Sequence, residues 1–169
     1  MKISEEKKKE LEEIYQKYLH DEKILRMKDI PMHRGSNCYL HSFKVAKLAV
    51  KHALRHKNVL LEVVLLAAIL HDYYLYDWRV DHSKLARHGK DHPYVAAEQA
   101  ERDFDISLIV KKAIESHMWP LNITEFPSSK EARIVTVADK MVASQEALTS
   151  KKYKKEHEEE YYQQISTLF

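Results

Sequence analysis

Five polar side chains of metal-binding type interrupt stretches that are otherwise apolar, His41, the adjacent pair His71 and Asp72, His117 and Asp139, and a sixth, His92, stands at an expected helix start. An imidazole or an ionised carboxylate beside a core is costly unless it is paired, hydrogen-bonded or bound to a metal. Taken singly, a histidine on an apolar face is as readily a satisfied core residue. Taken together, imidazole nitrogens and carboxylate oxygens without any thiolate form a ligand set suited to Zn, Fe, Mn or Ni rather than to Ca or Mg alone. The chain carries eleven histidines in 169 residues, and histidine serves both metal binding and proton transfer near neutral pH.

The elements that must position these groups read as helices. Only two glycines and four prolines occur, and no run alternates apolar with polar residues as a half-buried strand would. A first helix is expected from the cap Ser4 to about His20, with Leu11, Ile14, Tyr15 and Tyr18 as its apolar stripe. Residues 31–37 form a turn, after which Ser36 or Asn37 caps a second helix carrying His41 towards Arg55. The segment from Val59 to His71 is apolar on nearly every face and predicts the buried centre of a bundle. Pro93 marks a helix start just after His92. Further helices are expected from Ser107 to His117, from Ser128 or Ser129 to Leu148 with Asp139 inside, and at the periphery over 151–167. The fold class is therefore all-α, a single-domain bundle of six to eight helices over 1–169 with its core at about 30–148. The six polar candidates fall on five of these segments.

Composition narrows the function classes. Gly35 and Gly89 are too few for a P-loop or a dinucleotide fingerprint, because both need several glycines for backbone to approach a phosphate. With 28 basic and 26 acidic residues the net charge is +2, and the signs are mixed, so a broad footprint for duplex nucleic acid is not evident. Cys38 is the one cysteine, which makes a reducing compartment, the cytoplasm, the simplest setting. The N-terminus is charged from Lys2 onward without the apolar region of a signal peptide. Val59 to Leu70 falls short of the ~20 residues a membrane span needs. The charged terminal helices, with their apolar stripes, allow a homodimer.

The motif H…HD…D, here His41, His71-Asp72 and Asp139, resembles the signature of the HD superfamily of metal-dependent phosphohydrolases, and the resemblance spans about 30–147. Several members add two histidines between HD and the last Asp. His92 in Gly89-Lys90-Asp91-His92-Pro93 and His117 in Glu115-Ser116-His117-Met118-Trp119-Pro120 stand in those places. The segments Tyr39 to Ala46, Leu70 to Trp78 and His117 to Leu121 are similar to a group of small bacterial HD proteins. The six-ligand order is similar, less closely, to HD-type diadenosine tetraphosphate hydrolases and to cyclic-di-GMP phosphodiesterases of the HD-GYP class. Leu75 replaces a lysine common three places after the Asp. Tyr74, Leu75 and Tyr76 stand where ppGpp hydrolases carry a Glu-Asp pair, and the Gly-Tyr-Pro element of the cyclic-di-GMP enzymes is absent.

The resemblance implies one or two divalent transition metal ions, of Fe, Mn, Zn or Ni. His41, His71, Asp72 and Asp139 would hold one, and Asp72, His92 and His117 the other, with Asp72 as the bridging catalytic residue. The reaction expected is hydrolysis of a phosphoester or phosphoanhydride of a nucleotide or dinucleotide. Arg34, His88, Lys90 and Lys140 are the candidates to clamp its phosphates. A competing reading is a non-catalytic helical scaffold or binding protein with a structural metal. Structural zinc sites normally close at four ligands, whereas six candidates point to an open, multinuclear site.

Overall fold

The computed structural model of the chain describes residues 3–32, 36–77, 88–149 and 156–169, and of His88 the backbone alone. Among these residues there are eight α-helices and no strand: α1 Glu5–Leu19, α2 Glu22–Leu25, α3 Cys38–Ala53, α4 Leu61–Leu70, α5 His88–Phe104, α6 Leu108–Glu115, α7 Lys130–Leu148 and α8 Glu158–Gln164. A 3₁₀ turn, Arg26–Asp29, links α2 towards α3. No described helix is long and apolar enough to cross a membrane.

Local chemistry starts the helices. Ser4 Oγ accepts from the amide of Lys7 at 3.1 Å, and Glu5 and Glu6 complement the positive end of α1. Asn37 caps α3 by accepting from the Leu40 amide at 2.8 Å, and Ser129 caps α7 by accepting from Ala132 at 3.0 Å. In α4, Val64, Leu65, Ala67, Ala68, Ile69 and Leu70 are all buried. The helix is apolar around its circumference because α3, α6 and α7 surround it, with α1 and α5 at its margins. It ends where the apolar run stops, and His71 and Asp72 emerge at its C-terminal end into the middle of the bundle.

Three expected boundaries differ. Pro93 lies inside α5, which begins five residues earlier at His88. The amide donor that proline lacks would have met the Gly89 carbonyl, so α5 forfeits one backbone bond near its start, in the second turn. A Cβ on Gly89 would stand 3.0 Å from Leu121 Cδ2, and the absence of one lets the start of α5 approach the loop after His117. Helix α6 stops at Glu115, because the Ser116 and His117 amides turn back to the Lys112 and Ile114 carbonyls and close it. At the C-terminus, α8 has seven residues. Beyond it Ile165 and Leu168 are buried without helical backbone, since Tyr15 donates to the Ile165 carbonyl and the Leu168 amide to Glu12. The expected extent of that helix over 151–155 lies outside the described residues.

Candidate metal centre

Five parts of the bundle deliver the six polar groups to one place, and all six side chains are buried. His41 comes from the first turns of α3, His71 and Asp72 from the end of α4, His92 from the second turn of α5, His117 from the turn after α6, and Asp139 from the middle of α7. Three overlapping sets have ligand atoms all within 4.8 Å of one another: His41, His71 and Asp72; His71, His117 and Asp139; Asp72, His92 and His117.

The outer nitrogens of three rings are tied to the fold, which aims their Nε2 atoms inward. His71 Nδ1 donates to the Ala68 carbonyl at 2.9 Å and His117 Nδ1 to the Ile114 carbonyl at 2.7 Å. His41 Nδ1 meets Glu146 Oε2 at 3.0 Å. Inside, His41 Nε2 stands 3.2 Å from Asp139 Oδ1 and His71 Nε2 3.3 Å from Asp72 Oδ2. The other Asp72 oxygen, Oδ1, faces His92 Nε2 at 3.3 Å and His117 Nε2 at 3.6 Å. Asp72 thus gives one oxygen to each half of the cluster.

Two features fit a cation at this centre. His71 Nε2 is buried between two carboxylates, 3.3 Å from Asp72 Oδ2 and 3.7 Å from Asp139 Oδ1, without a well-formed hydrogen bond to either, a spacing that a cation or proton among them would satisfy. The Nε2 atoms of His92 and His117 lie 3.1 Å apart, and two imidazole lone pairs at that separation repel unless a proton or a cation lies between or beside them.

The electrostatics agree with a site built for positive charge. Burial disfavours charge on His41, but hydrogen bonds to Asp139 and Glu146 outweigh it and hold its pKa up at about 9. His71 is likewise disfavoured by burial and raised to about 10 by Asp72 and Asp139. Burial would raise Asp72 and Asp139, yet the facing imidazoles keep both well below the usual carboxylate range, His71 and His92 acting on Asp72, His41 and His71 on Asp139. His117 goes the other way, to about 3, because burial and the charges of His71 and His92 oppose its protonation. It is therefore a neutral imidazole, the form that ligates.

Glu146, which sequence reasoning missed, is part of the site's support. It is buried; one carboxylate oxygen holds His41 and the other accepts from Ser36 Oγ at 3.1 Å and Lys44 Nζ at 3.3 Å. Its signal was present, since Glu146 follows Asp139 by two turns of one helix and must share its face. Tyr74 packs edge-on to His92 with centroids 5.5 Å apart, and its hydroxyl takes the Cys38 thiol and donates to Met32 Sδ. Of the phosphate candidates, Lys140 Nζ lies 2.8 Å from Asp139 Oδ2 and Lys90 is exposed in the first turn of α5. Arg34 and the His88 side chain lie outside the described residues.

Searches of curated proteins and of solved structures found no match. The family model of the HD domain matches residues 38–144, from the first residue of α3 to five residues past Asp139. That span covers more than half of the chain and holds all six convergent side chains, and the chain belongs to the HD domain family.

Proposed function

We propose that this HD domain protein is a metal-dependent phosphohydrolase that cleaves a phosphoester or phosphoanhydride of a nucleotide or dinucleotide, with water as nucleophile and the cytoplasm as its setting. The observation that carries the reading is the division of Asp72, one oxygen towards His71 and His41, the other towards His92 and His117. Divalent ions bound there would acidify a water and take up negative charge on phosphoryl oxygens.

His41, His71, Asp72 and Asp139 are the proposed holders of one ion, and Asp72, His92 and His117 of a second. Glu146 orients His41 through Nδ1 and aims Nε2 at Asp139 and the middle of the cluster, as carboxylate partners of ligating histidines do. The Ala68 and Ile114 carbonyls do the same for His71 and His117. Lys140 offsets the outer oxygen of Asp139 and, being partly exposed, can turn to a substrate phosphate. Lys90, Arg34 and His88 are proposed to share that role. No nucleophilic side chain is required.

Elemental analysis of protein purified without chelator, followed by a panel of nucleotides, dinucleotides and simple phosphoesters with added Mn, tests the reading. Bound transition metal and turnover that chelation abolishes are expected. Metal-free protein that gains no turnover with any added divalent ion overturns it.

A further inference from the structure

Away from the metal centre, the end of α3, the turn into α4 and the start of α7 bring seven basic residues together: Lys51, His52, Arg55, His56, Lys57, Lys130 and Arg133. His52, His56, Lys130 and Arg133, with Ile134 and Val137, line one depression of about 360 Å³, within the ~300–1,000 Å³ of ligand sites. Among the described residues none of the seven makes an ion pair. Instead Lys130 Nζ is held by the Lys57 carbonyl at 3.2 Å, and Arg133 by the carbonyls of Pro127 and Ser128 at 3.0 and 2.8 Å. Carbonyls fix these cations in place without neutralising them. Of the neighbouring carboxylates, Glu131 accepts from the Leu60 amide and feels the charge of Lys130 without forming an ion pair with it, and Glu62 lies on the α1 side near Tyr18. The crowding is felt at His52, whose pKa is lowered by burial and by Arg55, His56 and Lys51.

An aromatic surface adjoins this charge. Phe126 is 57% exposed, carries the Arg133 guanidinium 5.7 Å from its ring centroid, and is braced edge-on by Trp119. Fixed cations beside an exposed ring are the combination that holds single-stranded nucleic acid, where phosphates meet the charges and a base stacks on the ring. We infer that this face binds the phosphate chain of a single-stranded oligonucleotide, with Phe126 stacking a base beside Arg133. The inference stands apart from the hydrolase reading, because none of its residues belongs to the metal cluster.

The test uses the full chain in EDTA, so that binding is read without hydrolysis. The probe is a fluorescein-labelled oligouridylate of ~12 nucleotides, followed by anisotropy between about 50 and 200 mM salt. Binding is expected, with log affinity falling linearly in log salt by ~0.7 per phosphate contact. Arg55→Glu with Lys130→Glu should lower affinity ~10-fold or more and flatten that slope, at an unchanged melting temperature. Should that pair fail to fold, Lys51→Glu with Lys57→Glu, both exposed, gives the same reading. Phe126→Ala should weaken oligouridylate while leaving inorganic polyphosphate unaffected. No binding at about 50 mM salt, indifference to the charge reversals, or polyphosphate or polyglutamate bound as tightly as oligouridylate overturns the inference.

Discussion

At the scale of single residues, the centre depends on groups that face two ways. Asp72 is the one carboxylate that belongs to two of the three convergent triads. Asp72→Ala should abolish hydrolysis and reduce bound metal, because cations facing one another would lose their common neutralising oxygen pair. Full activity of that variant removes the two-metal reading. Glu146 acts one step further out, through His41 Nδ1. Glu146→Ala should lower metal affinity ~10–100-fold, read by chelator competition, while Glu146→Gln, which still accepts a hydrogen bond, retains more of it. Five of the six inward groups were legible in the sequence because each breaks an apolar run, and His92 because it stands at an expected helix start in the place where the family carries a histidine. Glu146 escaped the sequence reading although it lies two turns after Asp139, since in Ser144-Gln145-Glu146-Ala147 its neighbours are polar and small and only the approach of α3 buries it.

At the scale of elements, α4 is the post on which the site is mounted. Leu65 and Ile69 have no exposed surface, so Leu65→Ala or Ile69→Ala should each cost ~2–5 kcal/mol in denaturant unfolding. Loss of metal affinity should follow, because His71 and Asp72 leave from the end of the same helix. Helix α5 and the turn after α6 supply His92 and His117, the two imidazoles facing Asp72 Oδ1. Replacing both His92 and His117 by Ala should leave close to one metal per chain and lower the hydrolysis rate by orders of magnitude. Unchanged metal content with little loss of rate would make the site mononuclear. Starts set by local capping, at Ser4, Asn37 and Ser129, could be read from the sequence because the cap and the amide it binds lie three residues apart. The start of α5 and the reach of α8 could not, since Gly89 against Leu121 and Ile165 on Tyr15 are contacts between distant parts of the chain.

At the scale of the whole molecule, the average charge concealed a local one. A net charge of +2 gave no hint of nucleic acid, yet the chain from Lys47 to Leu61 contains no acidic residue, and folding sets it beside Lys130 and Arg133. The metal centre has the opposite character, drawing α3, α4, α5, α7 and the turn after α6 onto one point. A cation bound there cross-links five parts of the bundle and is absent from the unfolded chain's reach, so it should stabilise the fold by mass action, ~2.7 kcal/mol at a hundredfold excess over Kd. For a chain of this size that raises the melting temperature by roughly 5–10 °C.

The rise should depend on pH, with a sign fixed by the imidazoles. In the metal-free protein His41 and His71 hold protons up to about 9 and 10, and ligation requires both to leave. Loading near neutral pH therefore releases about two protons, and apparent affinity rises by up to ~100-fold per pH unit below those values. His117, already neutral above about 3, adds nothing to this dependence. At a fixed metal concentration the thermal shift should be small at pH 6 and large at pH 8. Calorimetric titration in buffers of different ionisation heat should count the released protons directly. A thermal shift independent of pH, or metal binding with no proton release, would show that the carboxylates alone hold the ion and that His41 and His71 serve only as their counter-charges.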